Sequence, residues 1–242
     1  MAVLARGLVE GDGPFAAEWV FTDRRDGSSA GEYAELNVGA SVGDDPVAVD
    51  ANRSRIAGYL GAESLALVRQ VHGRDVARLE APPASPPDAD AIVTAVPGLP
   101  IAVQTADCVP VLLADLQGGQ VAAVHAGWRG VVAGVVDAAI DVLEPAGHLR
   151  AWIGPAICPG CYEVGEEVRA QVAAVAPEAF ATTRAGTAAV DVRAAVAAQL
   201  TRRGVAAEFV GGCTFEDPLL YSYRREPVTG RQAAVSVLRE KP

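Results

Sequence analysis

A pair of apolar runs near the middle of the chain constrains the fold more than any other feature. Residues 109–114 and 121–125 are rich in Val, Leu and Ala, and the segment that joins them contains Gly118 and Gly119. A short glycine-containing connection between two such runs is typical of an antiparallel β-hairpin. Parallel strands need a crossover of a dozen or more residues, so the sequence argues against a purely parallel doubly wound sheet.

Similar β-like runs recur along the chain, with helical patterns between them. Strands are predicted at residues 19–22, 66–71, 75–79, 91–94, 101–105, 109–114, 121–125, 151–153, 207–210 and 233–238. Helices are predicted from Pro46, with Asp45 as N-cap, to about Leu60, and over residues 131–143, 166–175 and 192–200. This mixture predicts an α/β (α+β) fold: a single layered domain over residues 1–242, with mixed β-sheets packed against helices.

Composition narrows the possible partners. Half of the 242 residues are hydrophobic and the formal net charge is −10, so the chain is expected to be folded and to bind neither nucleic acid nor an anionic membrane surface. The most apolar stretch, 91–116, is interrupted by Pro97 and Asp107, among others, and cannot form one membrane-spanning helix. Glu10 and Asp12 stand where a secretory signal would still be apolar, so a cytoplasmic location is expected.

Three residues stand out as possible metal ligands. The chain has only three histidines, and two of them, His72 and His125, end β-like runs just before glycine-containing turns. Cys108 lies at another break between two predicted strands. Two imidazoles and one thiolate suit zinc, and three protein ligands leave a fourth position open, as in a catalytic site. The alternative is a buried thiol and two hydrogen-bonded structural histidines.

Polar residues beside these positions are candidates for other roles. Asp107 adjoins Cys108 and is placed to act as a base or to orient a ligand. Arg129 lies where a turn leads into a predicted helix, which is a suitable place for an anion. Arg24 and Asn37 lie in turns near glycine, and Arg74 follows the His72 turn. For each of these residues, a solvated loop position or a local turn hydrogen bond is the alternative interpretation.

The remaining motif is Cys158-Pro159-Gly160-Cys161. A single C-x-x-C is weak evidence for chemistry, and this one follows a turn at Gly154-Pro155, whereas a thioredoxin-type motif opens a helix after a strand. We expect a tight loop lining the site and favour structural cysteines, with a redox or metal-binding role as the alternative.

Eight segments, in order, resemble the YfiH/YlmD-like family, which was first named for laccase-like polyphenol oxidase activity. They are FTDR (21–24), LNVG (36–39), VRQVHG (68–73), DADAIVT (88–94), QTADCVPVLLAD (104–115), VAAVHAGWRG (121–130), WIGPAICPGCYEVG (152–165) and YSYRRE..TGRQAA (221–234). The resemblance implies a single-domain α/β fold and a metal site at His72, Cys108 and His125. The sequence departs from the family pattern in the FTDRRDGSSAGEY stretch and in the wider spacing of the cysteine pair before YEVG.

The resemblance also implies purine nucleoside chemistry. It suggests phosphorolysis of adenosine, inosine, guanosine and methylthioadenosine, alongside deamination of adenosine. Cys108, His125 and Asp107 are then the candidate catalytic residues, Arg129, Arg24, Arg74 and Asn37 the candidate contacts to substrate or phosphate, and zinc the expected metal, with copper as the alternative. The chain is expected to act as a monomer or small homo-oligomer.

Three other functions stay open at the level of sequence. One is a metal-free Cys–His hydrolase or amidase acting on cell-wall precursors, with Cys108 as nucleophile and His125 or His72 as base. Another is a copper polyphenol oxidase, although a multicopper site needs more than three histidines. The third is a binding role without catalysis.

Overall fold

The computed structural model describes residues 3–241, so the two ends of the predicted domain, 1–2 and 242, lie outside the described residues. The strands are β1 (Val3–Glu10), β2 (Phe15–Thr22), β3 (Val76–Arg78), β4 (Ala91–Thr94), β5 (Ile101–Thr105), β6 (Val109–Asp115), β7 (Gln120–Ala126), β8 (Arg150–Ile153), β9 (Phe180–Thr182), β10 (Ala188–Val190), β11 (Ala207–Phe209) and β12 (Gln232–Glu240). The α-helices are α1 (Pro46–Tyr59), α2 (Trp128–Ala133), α3 (Val135–Leu143), α4 (Glu166–Val175) and α5 (Val192–Arg202).

The strands form two main sheets, which confirms the predicted mixed architecture. One sheet has four strands in the order β1-β2-β12-β5, all antiparallel. The other has six, in the order β11-β8-β6-β7-β4-β3, and its outer pairs β11–β8 and β3–β4 are parallel. The predicted hairpin lies at its centre, where β6 and β7 pair antiparallel over their whole length. A small third sheet joins β9 and β10.

Alternation along the strands shows how these sheets stack. On β6, Val111 and Leu113 face the helices α2–α5, whereas Leu112 faces the four-stranded sheet. The far side of the four-stranded sheet carries Val235 and packs against Ile56 of α1. Both sheets are thus covered on both faces, which explains why the central strands read as continuous apolar runs. The result is four layers in the order helix, sheet, sheet, helices.

Two predicted elements differ from the structure. Residues 66–71 were expected to form a strand but make only isolated bridges, at Ala66 and Arg69. Beyond Ala66 the side chain of Gln70 replaces backbone pairing, since its amide nitrogen donates to the carbonyl of Gln104 at 2.8 Å and its oxygen accepts from the Gln104 N–H at 2.9 Å. The single helix predicted at 131–143 is also wrong, because Gly134, with φ of +82°, separates α2 from α3.

Two helices, α1 and α5, begin at the capping residues that the sequence indicates. Asp45 accepts a hydrogen bond from the N–H of Val47 at 3.0 Å and caps α1, while Asp191 accepts from Ala194 at 2.9 Å and caps α5. The strands β1, β9 and β10 were not predicted. Within residues 3–241, no helix is both long enough and apolar enough to cross a membrane.

Candidate metal centre and substrate cavity

The three predicted ligands meet in one cluster. One ligand atom from each of His72, Cys108 and His125 lies within 4.8 Å of the others, and the two imidazole rings meet edge to face with centroids 4.8 Å apart. His125 is on β7, opposite Pro110 of β6, and Cys108 immediately precedes β6. His72 comes from the irregular segment before β3. The central hairpin and the residue before it therefore supply His125 and Cys108. The third residue, His72, directly follows residues 66–71, which were predicted to form a strand and do not.

Asp90, which the sequence interpretation missed, orients both histidines. Its Oδ1 lies 2.8 Å from Nδ1 of His125 and accepts from the N–H of His72 at 3.0 Å. Its Oδ2 accepts from the N–H groups of Val71 and Gly73 at 3.2 and 2.6 Å. The side chain is fully buried. Because Nδ1 of His125 is engaged, Nε2 is the nitrogen left for a ligand, as in carboxylate–histidine–metal triads.

The backbone around the cluster adopts strained or crowded conformations. His72 and Asp107 have φ of +59° and +90°, in the left-handed half of the map where non-glycine residues are uncommon. A Cβ at Gly127 would lie 2.8 Å from Nδ1 of His72 and 3.1 Å from Sγ of Cys108. Only glycine fits there. Such features are held in place by surrounding contacts and concentrate at functional sites.

The cluster also controls the charge on its thiol. Burial opposes ionisation of Cys108, but the charges and hydrogen bonds of His125 and His72 lower its pKa to about 6. Burial likewise opposes protonation of His125, while Cys108 and Asp90 raise the pKa of that imidazole to about 9. The lowered pKa favours the thiolate of Cys108, the form in which cysteine binds metals or acts as a nucleophile.

Asp107 links the Cys108 turn to two other segments. Its Oδ1 accepts from the hydroxyl of Thr214 at 2.6 Å, and its Oδ2 accepts from the N–H of Arg224 at 2.7 Å. Its backbone carbonyl accepts from the N–H of Ile157 at 3.1 Å. Both carboxylate oxygens are thus engaged locally, and Asp107 fixes the position of Cys108 against residues 157 and 214–224.

A cavity of about 890 Å³ opens beside the cluster. All three cluster residues line it, together with the aromatic side chains Trp128, Tyr162 and Tyr223. Five arginines also line the cavity: Arg53, Arg69, Arg129, Arg224 and Arg231. Its volume lies within the range of small-molecule sites, about 300–1,000 Å³.

Of the four residues predicted to contact substrate or phosphate, only one lines the cavity. Arg129 lines the cavity, with its guanidinium 4.6 Å from the ring centre of Trp128. Arg24 is not among the lining residues. Its Nε donates to the carbonyl of Ala34 at 2.7 Å, and its guanidinium lies over the ring of Tyr221. Arg74 is exposed and is not part of the lining either.

Asn37 is fully buried and contacts the cavity only through two residues that line it. Its Oδ1 accepts from the N–H groups of Gly39 and Arg231, each at 2.8 Å. Asn37 therefore positions two residues of the lining without being one itself.

Two cavity arginines that the sequence interpretation missed have free donor capacity. Arg53 donates to the carbonyl of Val38, and Arg231 donates to the carbonyls of Thr229 and Gly230. Within the described part of the chain neither guanidinium pairs with a carboxylate. Burial lowers the pKa of both, but arginine stays charged in proteins. The cavity therefore holds two guanidinium groups that form no salt bridge among the described residues, although Cys108 and Asp107 lie close enough to interact with the charge of Arg231.

The C-x-x-C loop was predicted to line the site, and this prediction is wrong. The turn at Pro159–Cys161 leads directly to Tyr162, which lines the cavity, but Cys158 and Cys161 are not among the lining residues.

The donor set fits a metal ion. Two imidazole nitrogens and one thiolate, converging within 4.8 Å, are the ligands that zinc and copper prefer, and the carboxylate behind His125 is the expected outer partner. The cluster could hold either metal.

The fold and site define an α/β protein whose His–Cys–His cluster, with His125 buried and His72 exposed, opens onto a cavity lined with arginine. Comparison with known families identifies it further: the family described as "Multi-copper polyphenol oxidoreductase laccase" matches residues 18–239, and the chain belongs to this laccase-like family. The resemblance seen in the sequence is thereby confirmed.

Relatives and solved structures agree with this assignment. A Streptomyces griseus protein named purine nucleoside phosphorylase ORF3 is 50% identical over 90% of this chain and 93% of its own length. A Streptomyces coelicolor protein, purine nucleoside phosphorylase SCO2081, is 52% identical over 90% and 93% of the two chains. The crystal structure of YlmD from Geobacillus stearothermophilus has a TM-score of 0.85 at 28% identity and covers 98% of this chain and 100% of its own. A Neisseria meningitidis structure, NMB0706, reaches 0.84 at 34% identity, covering 97% and 99%.

Proposed function

We propose that this chain is a zinc-dependent purine nucleoside phosphorylase that also deaminates adenosine. The substrates are adenosine, inosine, guanosine or methylthioadenosine with phosphate, and the products are the base and ribose 1-phosphate or its methylthio analogue. The observation that carries the proposal is that the His–Cys–His cluster shares one cavity with Arg53 and Arg231, which form no salt bridge among the described residues. The names of relatives at 50% and 52% identity support the same chemistry.

Phosphate is the substrate for which Arg231 and Arg53 are best suited. Arg231 lies close enough to Cys108 and Asp107 to interact with their charges, which places it beside the cluster. A guanidinium group can bind phosphate through two parallel N–H···O hydrogen bonds, and partial burial strengthens the electrostatic attraction. Arg129 is the third candidate and lies near the aromatic wall. Arg24, Arg74 and Asn37 have no direct part in this arrangement.

The nucleoside would occupy the remainder of the cavity. Trp128, Tyr162 and Tyr223 offer aromatic faces against which a purine can pack. In phosphorolysis a phosphate oxygen bonds to C1′ while the bond from C1′ to the purine breaks and its electron pair leaves with the base. The arginines hold the attacking phosphate in position. Their positive charge also reduces the repulsion between the phosphate and the negative charge that develops on the leaving purine.

The cluster serves the deamination half of the proposal more directly. Zinc held by His72, Cys108 and His125 would supply Lewis-acid activation of water. Asp90 keeps His125 in the orientation that presents Nε2, and the Asp107 contacts hold Cys108 in place. In the overall reaction water adds at C6 of adenine and ammonia leaves.

Two other functions have weaker support. A copper polyphenol oxidase needs several copper ions, whereas this chain has three histidines and the third, His148, is exposed between α3 and β8. A Cys–His amidase is favoured by one observation, the thiolate of Cys108 beside His125.

One experiment separates these possibilities. Purified protein of measured metal content is incubated with adenosine, inosine, guanosine or methylthioadenosine, with and without phosphate, and the products are followed by HPLC beside Cys108→Ala. Phosphate-dependent release of adenine that is lost in Cys108→Ala and after chelation supports the phosphorylase. Inosine without adenine assigns the site to deamination. A folded, zinc-loaded protein that turns over none of the four nucleosides contradicts the proposal, and amide hydrolysis that survives chelation but not iodoacetamide would establish the amidase.

A further inference from the structure

A second group of soft ligands lies outside the catalytic cavity. The sulfur atoms of Cys158, Cys161 and Cys213 all lie within 4.8 Å of one another. None of the three thiols forms a disulfide, and each is partly buried. Three thiols at this spacing, contributed by segments about 50 residues apart, form a cluster that the chemistry of the cavity does not use.

The two segments have the same local design. Cys158 and Cys161 are three residues apart in a turn closed by the N–H of Cys161 donating to the carbonyl of Cys158 at 3.0 Å. Cys213 and Glu216 have the same spacing, and the N–H of Glu216 donates to the carbonyl of Cys213 at 3.2 Å. The chain thus carries two C-x-x-ligand turns, the arrangement that zinc sites of the C-x₂-C type use in pairs.

Hydrogen bonds bring these two turns together. The N–H of Cys158 donates to Sγ of Cys213 at 3.2 Å, and Ala156 and Cys213 form an isolated parallel β-bridge. Cys161 Sγ lies 3.7 Å from Oε1 of Glu216, but this carboxylate is outside the group of ligand atoms that lie within 4.8 Å of one another, so its side chain would have to turn toward the other two sulfurs to supply a fourth ligand. The guanidinium of Arg184 lies 3.3 Å from Sγ of Cys161 and also pairs with Glu216, which places a positive charge beside the cluster.

We propose that Cys158, Cys161, Cys213 and Glu216 form a second zinc site, which is structural. Three thiolates and one carboxylate satisfy tetrahedral zinc, and a thiolate-rich set of this kind selects a soft divalent ion over magnesium or calcium. Each thiol that binds releases its proton to solvent. The four ligands leave no open position, unlike the three-ligand cluster in the cavity.

The second site would brace the catalytic one. Thr214 follows Cys213 and donates to the carboxylate of Asp107, and Tyr162 follows Cys161 and lines the cavity. Zinc at this position clamps the two turns and thereby holds a wall of the cavity and the turn that carries Cys108.

The test counts metal per chain in four full-length proteins. Wild type, Cys108→Ala, Cys213→Ser and the double variant are purified under reducing conditions, dialysed against metal-free buffer and analysed for zinc. The expected contents are about two zinc ions for wild type, one for each single variant and none for the double variant. A Cys213→Ser protein that retains as much zinc as wild type overturns the proposal. Loss of metal in Cys108→Ala alone reports on the cavity site, so failure of the proposed function is distinguishable from failure of the second site.

Cobalt gives a readout that does not depend on Cys213→Ser folding. Apo Cys108→Ala is titrated with Co²⁺, and a strong sulfur-to-cobalt charge-transfer absorption that saturates at one ion per chain is expected from three thiolates. In Cys108→Ala, Glu216→Gln this absorption should persist with weaker affinity. Absence of the band in Cys108→Ala, or a thiol count of two in the denatured wild type because two cysteines are joined, contradicts the site.

Discussion

The carboxylate of Asp90 lies 2.8 Å from Nδ1 of His125 and, from the same oxygen, accepts the backbone N–H of His72. One fully buried side chain therefore orients a ligand on β7 and a ligand on an irregular segment at the same time. Residues that support metal ligands in this way affect affinity although they never touch the ion.

Replacing Asp90 by Asn should weaken zinc binding about 10- to 100-fold, because the amide cannot stabilise His125 as the carboxylate does. Affinity is measured by competition with a chromophoric chelator. Asp88→Asn is the matched control, since that exposed carboxylate pairs with Arg69 rather than with a residue of the cluster. Equal zinc affinities in the two variants, with both proteins folded, would refute the role assigned to Asp90.

Gly127→Ala should remove metal from the cavity site while leaving the fold in place. The new Cβ would lie 2.8 Å from Nδ1 of His72 and 3.1 Å from Sγ of Cys108, so at least one ligand must move. Gly58→Ala in α1 is the control, because a Cβ there meets nothing within 4 Å. That substitution should stabilise the helix by about 0.5–1 kcal/mol. Zinc content and thermal unfolding are measured for both variants. A Gly127→Ala protein whose cavity site holds as much zinc as wild type contradicts the expected loss of metal.

Thr214→Val tests the link between Asp107 and the second segment. The substitution removes the 2.6 Å hydrogen bond to Oδ1 of Asp107 and leaves a buried carboxylate oxygen without its donor. The free energy of unfolding should fall by about 1–3 kcal/mol. In Thr201→Val, where the hydroxyl is exposed and bonds only within α5, the change should stay within about 0.5 kcal/mol. Denaturant unfolding that gives the same value for both variants would show that the Asp107 link contributes nothing.

The sequence predicted the cluster and most of the sheets because both depend on local signals. Apolar runs bounded by turns marked the buried strands, and the rarity of histidine drew attention to His72 and His125. Edge strands such as β9 carry few apolar residues, and a glycine inside a helical pattern, as at Gly134, permits either a continuous helix or a break. Neither has a clear local signature.

The missed residues show where such reasoning ends. Asp90 precedes a buried strand, but its hydrogen bonds depend on where residues 71–73 lie in space. Arg231 reaches the cavity because Asn37, 194 positions away, accepts its N–H. Cys213 joins the C-x-x-C turn only through tertiary contact, although the repeated C-x-x-ligand spacing at Glu216 was a signal available in the sequence.

Arg231→Ala should raise the KM for phosphate roughly 10- to 100-fold, because a charged hydrogen-bond donor contributes about 1.5–3 kcal/mol to anion binding. Steady-state rates are measured against phosphate at saturating nucleoside. Arg74→Ala, outside the cavity and exposed, should leave that KM unchanged. Arg231→Lys keeps the charge but not the paired donors and should fall between the two.

Arg129→Ala separates the two candidate positions for phosphate. Arg129 covers Trp128 on the aromatic side of the cavity, whereas Arg231 lies near Cys108. If phosphate binds at Arg231, Arg129→Ala should change the KM for nucleoside more than the KM for phosphate. A large rise in the phosphate KM for Arg129→Ala together with none for Arg231→Ala would move the anion site to the start of α2.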